Sequence, residues 1–216
     1  MACCGCDFGA SVEKQFDAKR AAGDMARYRK SGPDPTTRLL RTGLAAQGPI
    51  EGSLLDVGCG IGALTFELLN LGISRVTAVD ASPASLATAS AEAARSGRTN
   101  AVEFINGDFL DVAARLPPAT IVTLDRVICC YPAYEPMLNA ALQHAERFLA
   151  LSYPRDAWYV RMSIGLENRL RKWNGNPFRA FVHPADAMRR LVDAAGFRLA
   201  ARHRTFTWCA DVYARN

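Results

Sequence analysis

From residue 53 onward the chain alternates between two periods, short apolar runs that read as strands and longer amphipathic stretches that read as helices. "SLLDVG" is followed by a helix from about Gly62 to Leu71, "RVTAVD" by "SPASLATASAEAARSG", "AVEFINGD" by the short "FLDVAARL", and "ATIVTLD" by "EPMLNAALQHAERFL" and the apolar "LALSY". Ser82 is placed to cap the second of these helices, with Pro83 at its first position. Successive strands separated by helices need crossover connections, which place them parallel in one sheet with helices on both faces. After Pro154 an insert runs to about Asn176, "HPADAMRRLVDAAGF" reads as a helix, and "FRLAARHR" with "TFTWCADVYAR" alternate like a closing hairpin. The expected fold is α/β, with a seven-stranded, mostly parallel Rossmann-like sheet ending in an antiparallel hairpin.

Residues 1–50 stand outside this alternation. "VEKQFDAKRAAGDMARYRK" carries an apolar stripe at Val12, Phe16, Met25 and Tyr28, and "SGPDPTTRLLRTGL" restarts a helix near Pro35 and Thr36. We read residues 1–50 as a helical covering segment with a cysteine-rich tail, and 51–216 as the α/β domain. No apolar run approaches 18 residues, so no membrane span is expected, and the N-terminus lacks the basic start and apolar middle of a secretion signal. Seven cysteines, an odd number, fit a reducing, cytoplasmic setting better than a disulfide framework. Cys3, Cys4 and Cys6 could hold a soft metal or metalloid, but they lack zinc-site spacing, and no metal is expected. The net charge of +5 comes with no nucleic-acid signature.

Functional residues collect where the strands end. In "LLDVGCGIGAL", Gly58, Gly60 and Gly62 permit a tight turn, with Cys59 inside it, that lets a nucleotide approach the backbone at a helix start. A nicotinamide cofactor also fits this glycine spacing, whereas a P-loop does not, because no Gly-Lys-Ser/Thr follows. Asp56, two residues before the first glycine, would repel a pyrophosphate and suit a cationic, sulfonium-type ligand. Asp80, with Ala81 and Ser82 after it, lies 22 residues beyond Gly58, at the reach of ribose hydroxyls. Asp108 in "NGDF" is placed for an adenine amine with Phe109 beside the ring, and Asp125, followed by Arg126, lies near the transferred group.

Read together, "LLDVGCGIG", "AVDAS", "NGDF" and "VTLDRV" resemble the ordered motifs of class I S-adenosylmethionine-dependent methyltransferases, over about residues 35–214. The resemblance implies S-adenosylmethionine as cofactor, bound across Asp56 to Gly62, Asp80 to Ser82 and Asp108 to Phe109. "LDRVICCYP", "LSYPRDAW", "FVHP" and "AGF" are similar to magnesium-protoporphyrin methyltransferases after strand four. Displacement at a methyl group needs chiefly alignment, and an ionised acceptor needs no base. Candidate catalytic groups are Tyr131, His183 and Asp125; candidate substrate contacts are Tyr28, Cys129, Cys130, Tyr153 and Arg155. Trp158, Trp173 and Trp208 read as packing residues. Two acceptors stay open, a tetrapyrrole carboxylate and a small thiol, sulfide or metalloid. A non-catalytic cofactor-binding module and a NAD-dependent oxidoreductase are the alternatives, and the oligomeric state is not readable.

Overall fold

The computed structural model describes residues 8–216. Cys3, Cys4 and Cys6, and with them the cysteine-rich tail, lie outside the described residues. The seven strands are β1 (Ser53–Val57), β2 (Arg75–Asp80), β3 (Val102–Asn106), β4 (Ala119–Asp125), β5 (Ala145–Pro154), β6 (Phe197–Arg204) and β7 (Trp208–Arg215), in spatial order β3-β2-β1-β4-β5-β7-β6. Strands β1 to β5 are parallel, and β7 is antiparallel to both neighbours. The strand order reverses between β1 and β4, and such a switch point opens a crevice at the carboxyl ends of the strands.

Side-chain alternation splits the apolar residues into two cores. On one face Leu54, Ile121, Phe148 and Ala150 pack against α3 (Pro35–Ala45) and α4 (Ala63–Leu69) through Leu40, Leu44, Leu64 and Leu68. On the other, Leu55, Val122, Leu124 and Leu149 meet α7 (Tyr134–His144) and α9 (Ala185–Ala194) through Met137, Leu138, Met188 and Val192. Asp56, Thr123, Asp125 and Ser152 fall by the same alternation on the α3/α4 face, and register sets Asp56 beside Thr123 and Asp125 beside Ser152. Sheet geometry therefore gathers four polar side chains at one edge.

Four expectations change. The single N-terminal helix is two, α1 (Phe8–Gln15) and α2 (Ala18–Ser31), because the Asp17 carboxylate accepts the Arg20 N–H at 2.8 Å and starts a new helix. The helix expected through Leu149 stops at His144, and β5 takes the next ten residues. With β4 on one side and β7 on the other, pairing outweighs the helical pattern of "AERFL". The insert after Pro154 contains α8 (Trp158–Trp173). Trp158 and Trp173, expected to pack, are 73% and 86% exposed. Two further helices, α5 (Pro83–Arg95) and α6 (Phe109–Val112), follow β2 and β3.

Candidate active site

At the carboxyl edge lies a cavity of about 440 Å³, within the range of small-molecule sites. Its floor is the turn after β1. Gly58 and Gly60 have φ of 63° and 55°, the left-handed region that glycine enters without strain. A Cβ on Gly58 would strike the Val127 side chain at 2.4 Å, while one on Gly60 would meet nothing within 4 Å. The first glycine keeps the turn packed on β4; the second leaves its backbone bare.

Asp80 bridges this turn to the next one. One carboxylate oxygen accepts the Gly60 N–H and the other the Ser82 N–H, both at 2.7 Å. Burial raises its pKa against the two N–H donors. Asp56 is 1% exposed and accepts the hydroxyls of Thr65 at 2.6 Å and Thr123 at 2.7 Å. Burial pushes its pKa up to about 6; the two hydroxyls oppose the shift and the charges of Asp125 and Asp80 add to it. Asp125 accepts from Thr37 and Ser152, both at 2.5 Å, and has Arg126 Nε at 4.0 Å. Among the described residues, neither Asp56 nor Asp80 has a cationic partner within ion-pair distance. Asp56 and Asp80 are therefore held by neutral donors, while Arg20, Arg27, Arg126 and Arg171 also line the cavity.

Arg126 is the one non-glycine with positive φ among the described residues, at 62°. Its N–H donates to Ser152 at 2.8 Å and its guanidinium reaches Asp34, between α2 and α3, at 2.8 Å. Asp108 caps α6 through the Leu110 N–H at 3.0 Å and accepts the Tyr131 hydroxyl at 2.8 Å; Gly107, Phe109 and Tyr131 line the cavity beside it. Cys59, Cys129 and Cys130 also line it, with Sγ of Cys129 and of Cys130 each 3.5 Å from the Arg126 carbonyl. Burial pushes the Cys59 thiol up, and burial together with Cys129 raises Cys130, so neither is an activated thiolate. No metal-holding group of three or more His, Cys, Asp or Glu occurs among the described residues.

The roof comes from elsewhere in the chain. Val12 and Phe16 reach the cavity from the N-terminal helices, and the Ser82 hydroxyl donates to the Phe16 carbonyl at 2.8 Å. Tyr28 lines the wall, stacked on Phe66 with its hydroxyl donating to Glu67 at 3.1 Å, which together with burial raises its pKa. Val160, Ile164 and Glu167 of α8 line the opposite side, and Phe178 meets Phe16 edge-on at 5.5 Å. Sequence reasoning missed this α8 wall. Its signal was present in "WYVRMSIGLENRLRKW", a run without proline that repeats at helical spacing. Trp208, expected to pack, also borders the cavity.

Of the expected cofactor residues, Gly62, Ser82 and Asp108 sit just behind the cavity lining, and three expected catalytic or substrate residues lie elsewhere. His183 is buried away from the cavity lining, with Nε2 at 3.1 and 3.0 Å from the Ile128 and Tyr131 carbonyls. A nitrogen facing two carbonyls must carry the proton, so this His braces a loop and burial lowers its pKa. Tyr153 points to the opposite sheet face from Ser152, as strand alternation requires, and donates to Asp211 at 2.7 Å. It borders a separate polar depression with Arg155, whose guanidinium is held by the Phe206 carbonyl at 3.1 Å. Tyr131 does face the cavity, but burial and Asp108 raise its phenol pKa, which makes it a donor and not a resting base.

A glycine turn at the switch point of a 3-2-1-4-5-7-6 sheet, beneath an acidic strand edge, is the arrangement of the class I methyltransferase fold. Residues 54–151 match the family described as "Methyltransferase domain". The human protein EEF1A lysine methyltransferase 2 is 28% identical over 107 residues, which are 50% of this chain and 44% of that protein, so the chain spans less than half of the relative's length. The chain is also similar to magnesium protoporphyrin IX methyltransferase from Synechocystis PCC 6803, solved with bound SAH, at TM-score 0.73 and 20% identity over 97% of this chain and all of that one. An O-methyltransferase family protein from Burkholderia thailandensis gives TM-score 0.73 at 16% identity over 95% of this chain and 63% of that one.

Proposed function

We propose that this protein transfers the methyl group of S-adenosylmethionine to a small-molecule acceptor, in the cytoplasm. The observation that carries the reading is the pair of carboxylates, buried Asp56 and partly buried Asp80, facing one cavity without cationic partners within ion-pair distance among the described residues. A pyrophosphate would meet repulsion there; a sulfonium with an α-amino group would not. The residues fit the cofactor. Asp80 keeps acceptor capacity for ribose hydroxyls after taking two N–H bonds, Asp56 suits the cationic amino-acid end, and the bare Gly60 backbone admits close approach. Gly107, Phe109 and Tyr131 suit the adenine, with Asp108 behind Tyr131. When bound, S-adenosylmethionine supplies an electrophilic methyl group.

The chain's own residues would then align the acceptor and exclude water. Asp125 is engaged by two hydroxyls and Tyr131 donates to Asp108, so neither of these two groups is an unengaged base. That favours an acceptor ionised in its own right, a carboxylate such as a tetrapyrrole side chain, or a thiol. The N-terminal helices serve as the cover, with Phe16 and Tyr28 facing inward. A second reading, a protein lysine acceptor, draws on the human relative; the roof of α1, α2 and α8 weighs toward the smaller acceptor.

Calorimetry tests the cofactor: S-adenosylhomocysteine should bind and NADH should not, and Asp80→Ala should weaken binding by about ten- to a hundredfold, the worth of hydrogen bonds to a charged group. Binding of NADH alone would overturn the reading. Labelled methyl from S-adenosylmethionine, offered to tetrapyrrole carboxylates, small thiols and protein lysines, separates the acceptors; cofactor binding without transfer to any would mark a non-catalytic module.

A further inference from the structure

Two thiols in the cavity wall have no part in holding the cofactor. Cys129 and Cys130 end the short helical turn Ile128–Cys130 that follows β4, and both line the cavity. Consecutive side chains on a helical turn ordinarily point apart. Here they converge: each Sγ lies 3.5 Å from one oxygen, the carbonyl of Arg126, the residue held in the left-handed region. The two thiols also meet each other, since the Cys129 side chain is hydrogen-bonded to that of Cys130. Cys129 is 5% exposed and Cys130 partly buried, so the cavity is their common approach. The other two described cysteines are placed differently. Cys59 sits in the glycine turn with Sγ 3.7 Å from the Gly60 carbonyl, and Cys209 borders the separate polar depression. All four are free thiols.

A converging pair of protonated thiols selects its ligand by valence. Zinc takes four ligands and binds sulfur as thiolate, and no group of three or more His, Cys, Asp or Glu that could hold a metal occurs among the described residues. A trivalent arsenical asks for less. An arsenous oxide R–As=O takes two sulfurs and keeps its third bond to carbon, and sulfur is the ligand that a soft centre prefers. The exchange balances with neutral thiols: two As–S bonds form, the As=O bond breaks, and both thiol protons leave with the oxygen as one molecule of water. Arsenic stays trivalent, so neither an oxidant nor a reductant takes part. Because both sulfurs belong to one turn, the second As–S bond is intramolecular, and the pair holds far more tightly than a single thiol.

We propose that Cys129 and Cys130 form a dithiol site that captures trivalent arsenicals in the wall of the cavity. A captured arsenical would stand inside the cavity beside the Arg126 carbonyl. The proposal rests on the placement of the two sulfurs and does not depend on the cofactor or on the methyl acceptor.

Phenylarsine oxide is the probe, with intact-protein mass spectrometry on the reduced, full-length chain as the readout. Cys3, Cys4 and Cys6 are first replaced by Ser, so that thiols outside the described residues take no share. One phenylarsenic group should add per chain, survive an excess of the monothiol 2-mercaptoethanol, and leave with the dithiol 2,3-dimercaptopropanol. Tryptic digestion should find it on residues 127–147, the peptide that follows Arg126. Cys129→Ser and Cys130→Ser should each weaken retention by about a hundredfold or more, the effect of losing the intramolecular second bond. Cys59→Ser and Cys209→Ser should leave retention unchanged. Melting temperatures check that the variants fold, and the adduct and peptide assignment on the chain with Cys129 and Cys130 intact decide the matter if one does not. No adduct, an adduct that 2-mercaptoethanol removes, one carried by another peptide, or one lost with Cys59→Ser overturns the proposal.

Discussion

Asp56 concentrates the opposition between folding and binding in one side chain. Its ordinary pKa of 3.8 rises to about 6 in the folded protein, chiefly through burial. The native state therefore holds a proton that the unfolded chain has already released between those values. Stability without cofactor must fall as pH rises from about 4 to about 6, and the loss is complete above it. A shift of roughly two units corresponds to about 3 kcal/mol at most. Asp56→Asn should remove this penalty while keeping an oxygen for one of the two threonine hydroxyls. We expect the variant to melt higher than the parent at pH 7.5 without cofactor, and to bind S-adenosylmethionine at least tenfold more weakly. Thermal melts from pH 4 to 8, paired with calorimetry, check both; parallel pH profiles for parent and variant would reject the assignment.

Glu92 and Asp211 do the equivalent work between elements, one tying the N-terminal helix α2 to α5 and the other lying beneath the C-terminal hairpin. On α5, Glu92 accepts Arg29 of α2 at 2.9 and 2.5 Å and Arg95 at 2.8 and 2.6 Å. Arg95 and Arg29 hold its carboxyl down to about 2 from an ordinary 4.5. That stability is present above pH 4.5 and is lost as pH falls toward 2. Both guanidinium groups are about half exposed and screened, so Glu92→Gln should cost only about 1 kcal/mol. It should show as faster hydrogen exchange in α2 ahead of the sheet. At the other end Asp211, fully buried, accepts both Arg202 donors at 2.7 Å and the hydroxyls of Tyr153 at 2.7 Å and Tyr213 at 3.0 Å. Asp211→Ala leaves a guanidinium and two phenols without their acceptor beneath the β6–β7 hairpin. We expect about 3–5 kcal/mol of destabilisation in denaturant titration.

For the molecule as a whole, a ligand that bridges the sheet edge and the N-terminal helices should stabilise both together. At a hundredfold excess over its dissociation constant, S-adenosylhomocysteine should add about 2.7 kcal/mol and raise the melting temperature, whereas NADH should not. Exchange protection in α1 and α2 should increase with it, because Val12, Phe16 and Tyr28 line the same cavity as Asp80. Protection confined to the sheet would show that the covering helices do not respond to the cofactor.

Local pattern was enough for the strand alternation, the glycine turn and the acids at four strand ends, since each rests on neighbours within a few residues. Period, φ preference and the offset of an acid from a strand end are properties of a short segment. Tertiary structure alone decided which side chains share the cavity. Tyr153 follows Ser152 in sequence yet points to the other face of the sheet, His183 is claimed by two backbone carbonyls, and β5 begins at Ala145 because strands flank it on both sides. The outward face of α8 has the same origin. Its apolar residues read as packing until the fold gave the helix a single cavity wall to cover, leaving Trp158 and Trp173 in solvent. Burial and partnership depend on segments distant in the chain, and no short stretch of sequence encodes them.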